Sequence, residues 1–462
     1  MNVTTQNELD NLAVLYSKGE INETITVAIS LSNKYPDDAL LFNILGTCYT
    51  ELGQLENAVD HYQRALKLNP DLDEAHYNLA NVLTDIGRTA AAIKSFKLAL
   101  KINPDYVKAY YNLGVCYQQS GSIDLAIESY NKTIKIDPHH CKAHYNMGVL
   151  YVKIDELESA ITCYKKAIAI DSTYVNALDN LGQVYINLDQ NDLAVYCFEK
   201  IIKINPNNYN AYNSYGLTLT NLGHVDLAIN KFQQAINTNP SNVEAYNNLG
   251  LAYSKKNQFK YAVNCYKKAI ELDFNLAEAH NNLGVSYYKM GLMDYAIESC
   301  KQALIIQPDF AEAYNNLGNT YDQLGKTSKA IKSYKKAIKI NGEYSEPYGS
   351  LGRIFQVFGQ LDNAIDSFNQ SLRIKPDRIE IFDNLLFTLN YHSDLSPEEI
   401  FASYQEYDKR FGLPYRTQWK DHSNPKDLTR RLKIGYVSPD FHGHSMKNFL
   451  VPLLDHHSHD EF

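Results

Sequence analysis

The chain has 462 residues, and its 44 lysine and arginine residues against 53 aspartate and glutamate residues give a formal net charge of −9. The charges are spread along the length without the basic stripe that a phosphate backbone attracts, so we expect no nucleic-acid partner. The start has no charged and apolar segments of a secretion signal, and no stretch is apolar enough to span a bilayer. We therefore expect a cytoplasmic protein, or a nucleocytoplasmic one in a eukaryote, without a membrane partner.

Small residues recur with a period of 34 residues from near the start of the chain. One position of this repeat, which we call the glycine column, is glycine in all units but one from residue 46 onwards. Its members are Gly46, Gly114, Gly148, Gly182, Gly216, Gly250, Gly284, Gly318 and Gly352, with Ala80 in the single gap. An alanine follows each of them twelve residues later, from Ala58 to Ala364. Apolar residues around both columns have helical spacing, and recurrent prolines follow the second stretch. The repeat is thus predicted to be helix, turn, helix, turn.

Eleven such units of 34 residues run over 5–378, of which the first, 5–38, is degenerate. This period and signature resemble the tetratricopeptide repeat (TPR) family. The resemblance implies an all-α fold, a right-handed superhelix or α-solenoid in which each unit is stabilised by stacking on its neighbours. It also implies a long concave surface, lined by the first helix of each unit, that binds extended segments of other proteins.

The sixth position of the first helix is asparagine in most units. These candidate peptide-binding residues are Asn78, Asn112, Asn146, Asn180, Asn248, Asn282 and Asn316, with Ser214 and Ser350 in two units. A carboxamide is both donor and acceptor, so a column of carboxamides can bind the backbone of an extended peptide whatever its sequence. The alternative is that these asparagines are ordinary solvent-exposed residues of a helix face in a chain that is rich in asparagine. A chaperone-type carboxylate clamp is not expected, because the preceding position holds no lysine.

Two other residue types give local predictions. The seven cysteines lack a C-x-x-C pair and recur at core positions, so they are predicted to be reduced core thiols. His139, His140 and His144 lie at a repeat boundary and are predicted to be on the surface.

Beyond the repeats, residues 379–412 are predicted to form capping helices. Ser396 and Glu399 have the spacing of a capping box, with Pro397 at the first helical position. Residues 413–431 are polar and turn-rich and are predicted to be a connector.

The segment 432–462 begins with the alternating string LKIGYVS and continues through PDFHGHS into an amphipathic stretch. Strand, loop and helix in this order begin an α/β domain. The residues RLKIGYVSPDF resemble the O-linked N-acetylglucosamine transferases and their SPINDLY relatives, which join a TPR superhelix to a GT-B glycosyltransferase. The resemblance implies a catalytic role for His444 in transfer to protein Ser or Thr. It also implies UDP-N-acetylglucosamine or GDP-fucose as donor substrate, with no cofactor and no metal.

From the start of this predicted strand at Leu432 the chain has only 31 residues, too few for a two-lobed transferase. We therefore expect an incomplete catalytic domain and an inactive chain. Two functions remain open from the sequence: the protein-binding part of an intracellular protein O-glycosyltransferase, or a stand-alone TPR scaffold or adaptor.

Overall fold

The computed structural model describes residues 6–418, and every regular element within that range is a helix. The predicted all-helical solenoid is confirmed. The chain divides into two compact units, one ending at Gly342 and one beginning at Glu343. The strand, loop and helix predicted over 432–462, including His444, lie outside the described residues, as does most of the predicted connector. The α/β start therefore stays a prediction.

Within 6–342 the helices alternate between a first helix (A helix) and a second helix (B helix) of each repeat. The A helices are α1 Gln6–Ser17, α3 Ala39–Glu51, α5 Asp73–Asp85, α7 Val107–Gln119, α9 Cys141–Lys153, α11 Val175–Asn187, α13 Tyr209–Asn221, α15 Val243–Lys255, α17 Ala277–Lys289 and α19 Ala311–Gln323. The B helices are α2 Ile21–Lys34, α4 Leu55–Leu68, α6 Thr89–Ile102, α8 Ile123–Ile136, α10 Leu157–Ile170, α12 Asn191–Ile204, α14 Val225–Thr238, α16 Phe259–Leu272, α18 Met293–Ile306 and α20 Thr327–Ile340.

Three residues separate the A helix from the B helix of a repeat, and the middle one is in the left-handed backbone region. It is glycine in most repeats, such as Gly121 with φ of 76°. Asp155, Asp189 and Asn257 take the same conformation at φ of 61°, 55° and 59°. Asp and Asn tolerate this region better than other side chains, because their short polar groups bond locally. The turn is thus preserved where the glycine is absent.

In most repeats the glycine is needed because an aromatic ring of the B helix packs against the A helix at that point, whereas Gly284 faces the thiol of Cys300. A Cβ added to Gly148 would lie 2.5 Å from the ring of Tyr164, and one added to Gly250 would lie 2.5 Å from the ring of Tyr266. Both tyrosines are about 1% exposed. The alanine column completes this contact, since Ala160 and its equivalents are fully buried. The two helices of a repeat can therefore approach closely.

Stacking joins the repeats of the first unit. Each B helix from α2 to α18 packs on the A helix of its own repeat and on the A helix of the next, and several successive A helices also touch, as α15 does with α13 and α17. Because A helices approach one another, they form a continuous surface, which we call the A-helix face. No helix in residues 6–418 is long and apolar enough to cross a bilayer.

The second unit continues the helical pattern with α21 Ser345–Val357, α22 Leu361–Ile374, α23 Ile379–Leu389 and α24 Pro397–Tyr407, followed by a π-helical turn over Asp408–Gly412 and a 3-10 helix over Leu413–Gln418. At the start of α24, the Ser396 hydroxyl accepts from the Glu399 backbone N–H while the Glu399 carboxylate accepts from the Ser396 backbone N–H. This reciprocal capping box satisfies two donors at the helix terminus.

All seven cysteines are free thiols. Five are buried, as predicted for core residues, and Cys141 and Cys265 are half-buried. Burial raises the pKa of Cys300 to about 12 and the pKa of Cys163, Cys197 and Cys265 to about 11. A raised pKa removes thiolate at neutral pH, and the thiolate is the reactive form.

We therefore expect the native protein at pH 8 to react with a thiol reagent such as Ellman's reagent at least ten-fold more slowly than the same protein unfolded in guanidinium chloride. Unfolding should expose all seven thiols. Fast native labelling of the thiols would show that the repeats open far more often than a well-packed core allows.

Candidate functional site

The seven predicted peptide-binding asparagines all lie on A helices of the first unit, and each is half-buried. Every one donates its Nδ2 amide to a side chain 35 residues earlier, one position before the column in the preceding repeat. The acceptor is a tyrosine hydroxyl or a carboxamide oxygen. The bonds run from Asn78 to Asn43, Asn112 to Tyr77, Asn146 to Tyr111, Asn180 to Tyr145, Asn248 to Asn213, Asn282 to Asn247 and Asn316 to Asn281.

These donor bonds have donor to acceptor distances between 2.9 and 3.4 Å. They fix each carboxamide against the neighbouring repeat, so the column has a structural role that the sequence had not indicated. Within residues 6–418 no group donates to the Oδ1 oxygens of Asn248, Asn282 and Asn316. An acceptor of this kind, half-buried and held in place, suits the N–H of an incoming peptide backbone.

The column is interrupted once in this run, at Ser214, whose hydroxyl accepts from Gln183 Nε2 at 3.2 Å. The position that would receive its bond is Asp179, where burial raises the pKa of the carboxyl group above its usual range. The interruption divides the column into two parts. In the earlier part the acceptors are one asparagine, at 43, and three tyrosines, at 77, 111 and 145, whereas in the later part they are asparagines at 213, 247 and 281.

In the later part, four rows of residues cross the A-helix face at the second, sixth, ninth and thirteenth helix positions. Because these positions are three or four residues apart, their side chains share one side of each helix. In α15 the rows hold Glu244, Asn248, Leu251 and Lys255, and in α17 they hold Glu278, Asn282, Val285 and Lys289. We call the surface that these rows form on α13, α15, α17 and α19 the A-helix groove.

The A-helix groove contains two adjoining recesses. The larger has a volume of about 400 Å³, and its lining includes Leu217, Leu251 and Val285 together with Asn248, Lys255 and Lys289. The smaller, of about 110 Å³, shares Val285 and Lys289 and also includes Asn316. The predicted asparagines thus lie beside apolar and cationic groups that the sequence pattern had not singled out. The sequence did contain a signal for this apolar row, because the ninth A-helix position is apolar in three successive repeats, at Leu217, Leu251 and Val285.

Histidines at the fourth A-helix position are buried, and the prediction that His144 lies on the surface is wrong. His144 is 4% exposed, and its Nε2 donates to the carbonyl oxygen of Pro138 at 3.1 Å. His76 and His280 repeat the arrangement, with bonds of 3.0 Å to the carbonyl oxygens of Pro70 and Phe274. These imidazoles bind the turn that precedes their own helix, so they stabilise the fold. Among the described residues, no group of three metal-ligating side chains is found.

Comparison with known proteins identifies the repeats. Family models described as TPR repeat or tetratricopeptide repeat match segments that together cover 46–140 and 150–378, more than half of the chain. The chain is similar to the probable UDP-N-acetylglucosamine–peptide N-acetylglucosaminyltransferase SPINDLY of Hordeum vulgare, with 38% identity over 84 residues, 18% of this chain and 9% of that protein. It is also similar to the peroxisomal targeting signal receptor of Saccharomyces cerevisiae, with 36% identity over 67 residues, 14% of this chain and 11% of that protein.

Among solved structures, the chain is similar to YrrB, described as a TPR protein with an unusual peptide-binding site, at 27% identity and a TM-score of 0.35. That similarity covers 40% of this chain and 96% of YrrB. The matched part is only about a tenth of the length of the curated relatives.

Proposed function

Because the chain belongs to the tetratricopeptide repeat proteins, we propose that its A-helix face binds extended segments of other proteins mainly through their backbone. The main supporting observation is the column of fixed carboxamides on the A helices. Their Nδ2 groups donate between repeats, while the Oδ1 acceptors of Asn248, Asn282 and Asn316 receive no hydrogen bond within residues 6–418. A side chain that is already held in position loses little conformational freedom when a ligand binds, so its hydrogen bond contributes more to affinity.

Our proposal extends to the setting of this binding surface. The chain would be the substrate-recruiting part of a SPINDLY-like protein O-glycosyltransferase, which transfers N-acetylglucosamine or fucose from a nucleotide sugar to Ser or Thr. The similarity to SPINDLY supports it, together with the string RLKIGYVSPDF near residue 432. In this proposal His444 would be a catalytic group, because an imidazole can take a proton from an attacking hydroxyl near neutral pH.

A stand-alone scaffold or adaptor is the second candidate. The match to the yeast receptor is nearly as close over a similar length as the match to SPINDLY, so repeat similarity alone does not favour a transferase. Sequencing the transcript past the codon of Phe462 distinguishes the two. An open frame of several hundred codons with α/β patterning would support the transferase, and a stop codon would support the scaffold.

The binding proposal is tested by replacing Asn248, Asn282 and Asn316 together by Ala. Each replacement removes an acceptor for the bound backbone, at about 0.5 to 1.5 kcal/mol apiece, so the affinity for extended Ser- and Thr-containing peptides should fall about ten-fold or more. The loss should be similar for peptides of unrelated sequence, because the carboxamides bind backbone. Fluorescence anisotropy with labelled peptides measures it, and circular dichroism should show an unchanged helical content.

A matched control replaces three exposed asparagines of B helices, Asn131, Asn230 and Asn264, by Ala. This variant has the same change in composition but leaves the A-helix face intact, so its affinity should equal that of the unmodified chain. Equal affinity in both triple variants would show that the column is an ordinary solvated and inter-repeat surface.

A further inference from the structure

The chemistry of the A-helix groove changes in a regular order across its width. Glutamates of the second position, Glu244 and Glu278, are exposed along one edge. The asparagines follow, then the apolar row of Leu217, Leu251 and Val285, and last the exposed lysines Lys255 and Lys289 along the other edge. Successive rows are three or four residues apart, about 4.5 to 6 Å along the helix axis. A segment bound to the asparagines therefore lies within side-chain reach of the apolar row and the lysines.

The two lysines have no carboxylate partner. Within residues 6–418, no Asp or Glu oxygen lies within 4.0 Å of either ammonium group, although other lysines of the chain form ion pairs. Lys255 Nζ donates to the backbone carbonyl oxygen of Thr220 at 3.5 Å, and Lys289 Nζ lies 6.0 Å from the ring centroid of Tyr288. Both ammonium groups therefore lie beside the recess of about 400 Å³ without a paired carboxylate.

Helix stability alone does not account for them. Both lysines end an A helix, where a cation interacts favourably with the helix dipole. The equivalent residue varies between repeats, however, so the fold does not require a cation there. It is acidic at Glu51 and Asp85, a lysine again at Lys153, and uncharged at Gln119, Asn187 and Gln323. Lysines of two successive repeats thus lie beside the apolar row and the recess of about 400 Å³.

The spacing of the repeats restricts the conformation of a segment that meets both lysines. Packed helices lie about 8 to 10 Å apart. A polyproline II segment advances about 9 Å in three residues and places every third side chain on the same side. In a flat β-strand, residues three apart point to opposite sides. One turn of polyproline II therefore matches one repeat.

We propose that the A-helix groove selects acidic segments of partner proteins that bind as polyproline II, with two carboxylates three residues apart on Lys255 and Lys289 and an apolar side chain between them in the recess. This inference rests on the proposed binding function and adds the partner class to it. The asparagine column supplies affinity for any backbone, and the lysine pair supplies selectivity by charge.

The test uses the full chain and three labelled twelve-residue peptides of Gly, Ser and Ala that differ only at their centre. The first has Glu-Leu-Thr-Glu, the second has Gln-Leu-Thr-Gln, and the third has Lys-Leu-Thr-Lys. Fluorescence anisotropy at 50 mM salt should rank them acidic, neutral, basic, with at least a five-fold difference between acidic and neutral. Raising the salt to 500 mM should reduce that difference, since exposed charges are screened.

The matched variants are Lys255→Gln with Lys289→Gln, and Lys142→Gln with Lys153→Gln. The second pair makes the same charge change on α9, away from the recess. The first pair should remove the preference for the acidic peptide and leave the neutral peptide's affinity unchanged, whereas the second pair should retain the preference.

Each other outcome overturns the inference in a recognisable way. The three peptides could bind equally well, and this binding could be lost in the Asn248, Asn282 and Asn316 triple variant. That result would support backbone binding but contradict selection by charge. A preference for acidic peptides that disappears with the α9 pair would assign the selection to another part of the A-helix face. Absence of binding by all three peptides would overturn the inference and the proposed function together.

Discussion

Replacing Tyr164 by Ala should lower the free energy of unfolding by about 3 to 5 kcal/mol, the range for removing a large aromatic side chain from a packed core. The ring is 1% exposed and packs between α10 and the Gly148 segment of α9. Its hydroxyl also accepts from Asn180 Nδ2 at 3.4 Å, so the side chain contributes to the stacking of the next repeat. The replacement leaves a cavity within one repeat and weakens its junction with another.

Because each repeat is stabilised mainly by its neighbours, destabilising one central repeat by Tyr164→Ala should also split the cooperative unfolding transition into separate steps. Urea denaturation followed by circular dichroism should become broader or biphasic. Hydrogen exchange should show reduced protection first in α9 to α11 while the repeats further along keep theirs. The control Tyr164→Phe removes only the hydroxyl and should cost about 1 kcal/mol. If both variants cost the same, the ring's packing is not what stabilises this repeat.

The sequence predicted the repeat architecture well because its signal is local. The 34-residue period, the turn residues and the apolar stripes each concern contacts within one repeat or between immediate neighbours. The sequence indicated only part of the reason for the glycine column. Small residues indicated close helices, but the ring that fills the space, such as Tyr266 opposite Gly250, had to be located in three dimensions.

The asparagine column shows what a one-dimensional pattern lacks. Its position on the A helices was predicted, but the bond from Asn282 to Asn247 depends on how one repeat is rotated against the next. The same holds for His144, whose acceptor is a carbonyl group of the preceding turn. Polar residues that recur 35 residues apart, one position off the period, were a usable sign of contact between successive repeats. The lysine pair needed the recess beside it before its place in a site could be recognised.

A double-mutant cycle on Gly148 and Tyr164 gives the second large expected effect. In Gly148→Ala the new methyl group would lie 2.5 Å from the Tyr164 ring, which is closer than packed atoms allow. Overpacking of this kind costs about 1 to 3 kcal/mol, and the better helix propensity of Ala recovers up to about 1 kcal/mol. We therefore expect Gly148→Ala alone to destabilise the first unit.

With Tyr164→Ala already present, the same methyl group enters an empty space. It should then cost nothing or stabilise the protein, so the double variant should be more stable than the sum of the single effects by at least about 1 kcal/mol. Urea midpoints of the four proteins of the cycle measure this coupling. Combining Gly148→Ala with Phe232→Ala, whose ring instead faces Gly216, provides an uncoupled control that should be additive. Additive effects in the Gly148 and Tyr164 cycle would mean that the backbone moves to accommodate the methyl group, and that the glycine column is set by helix geometry instead of by the aromatic ring.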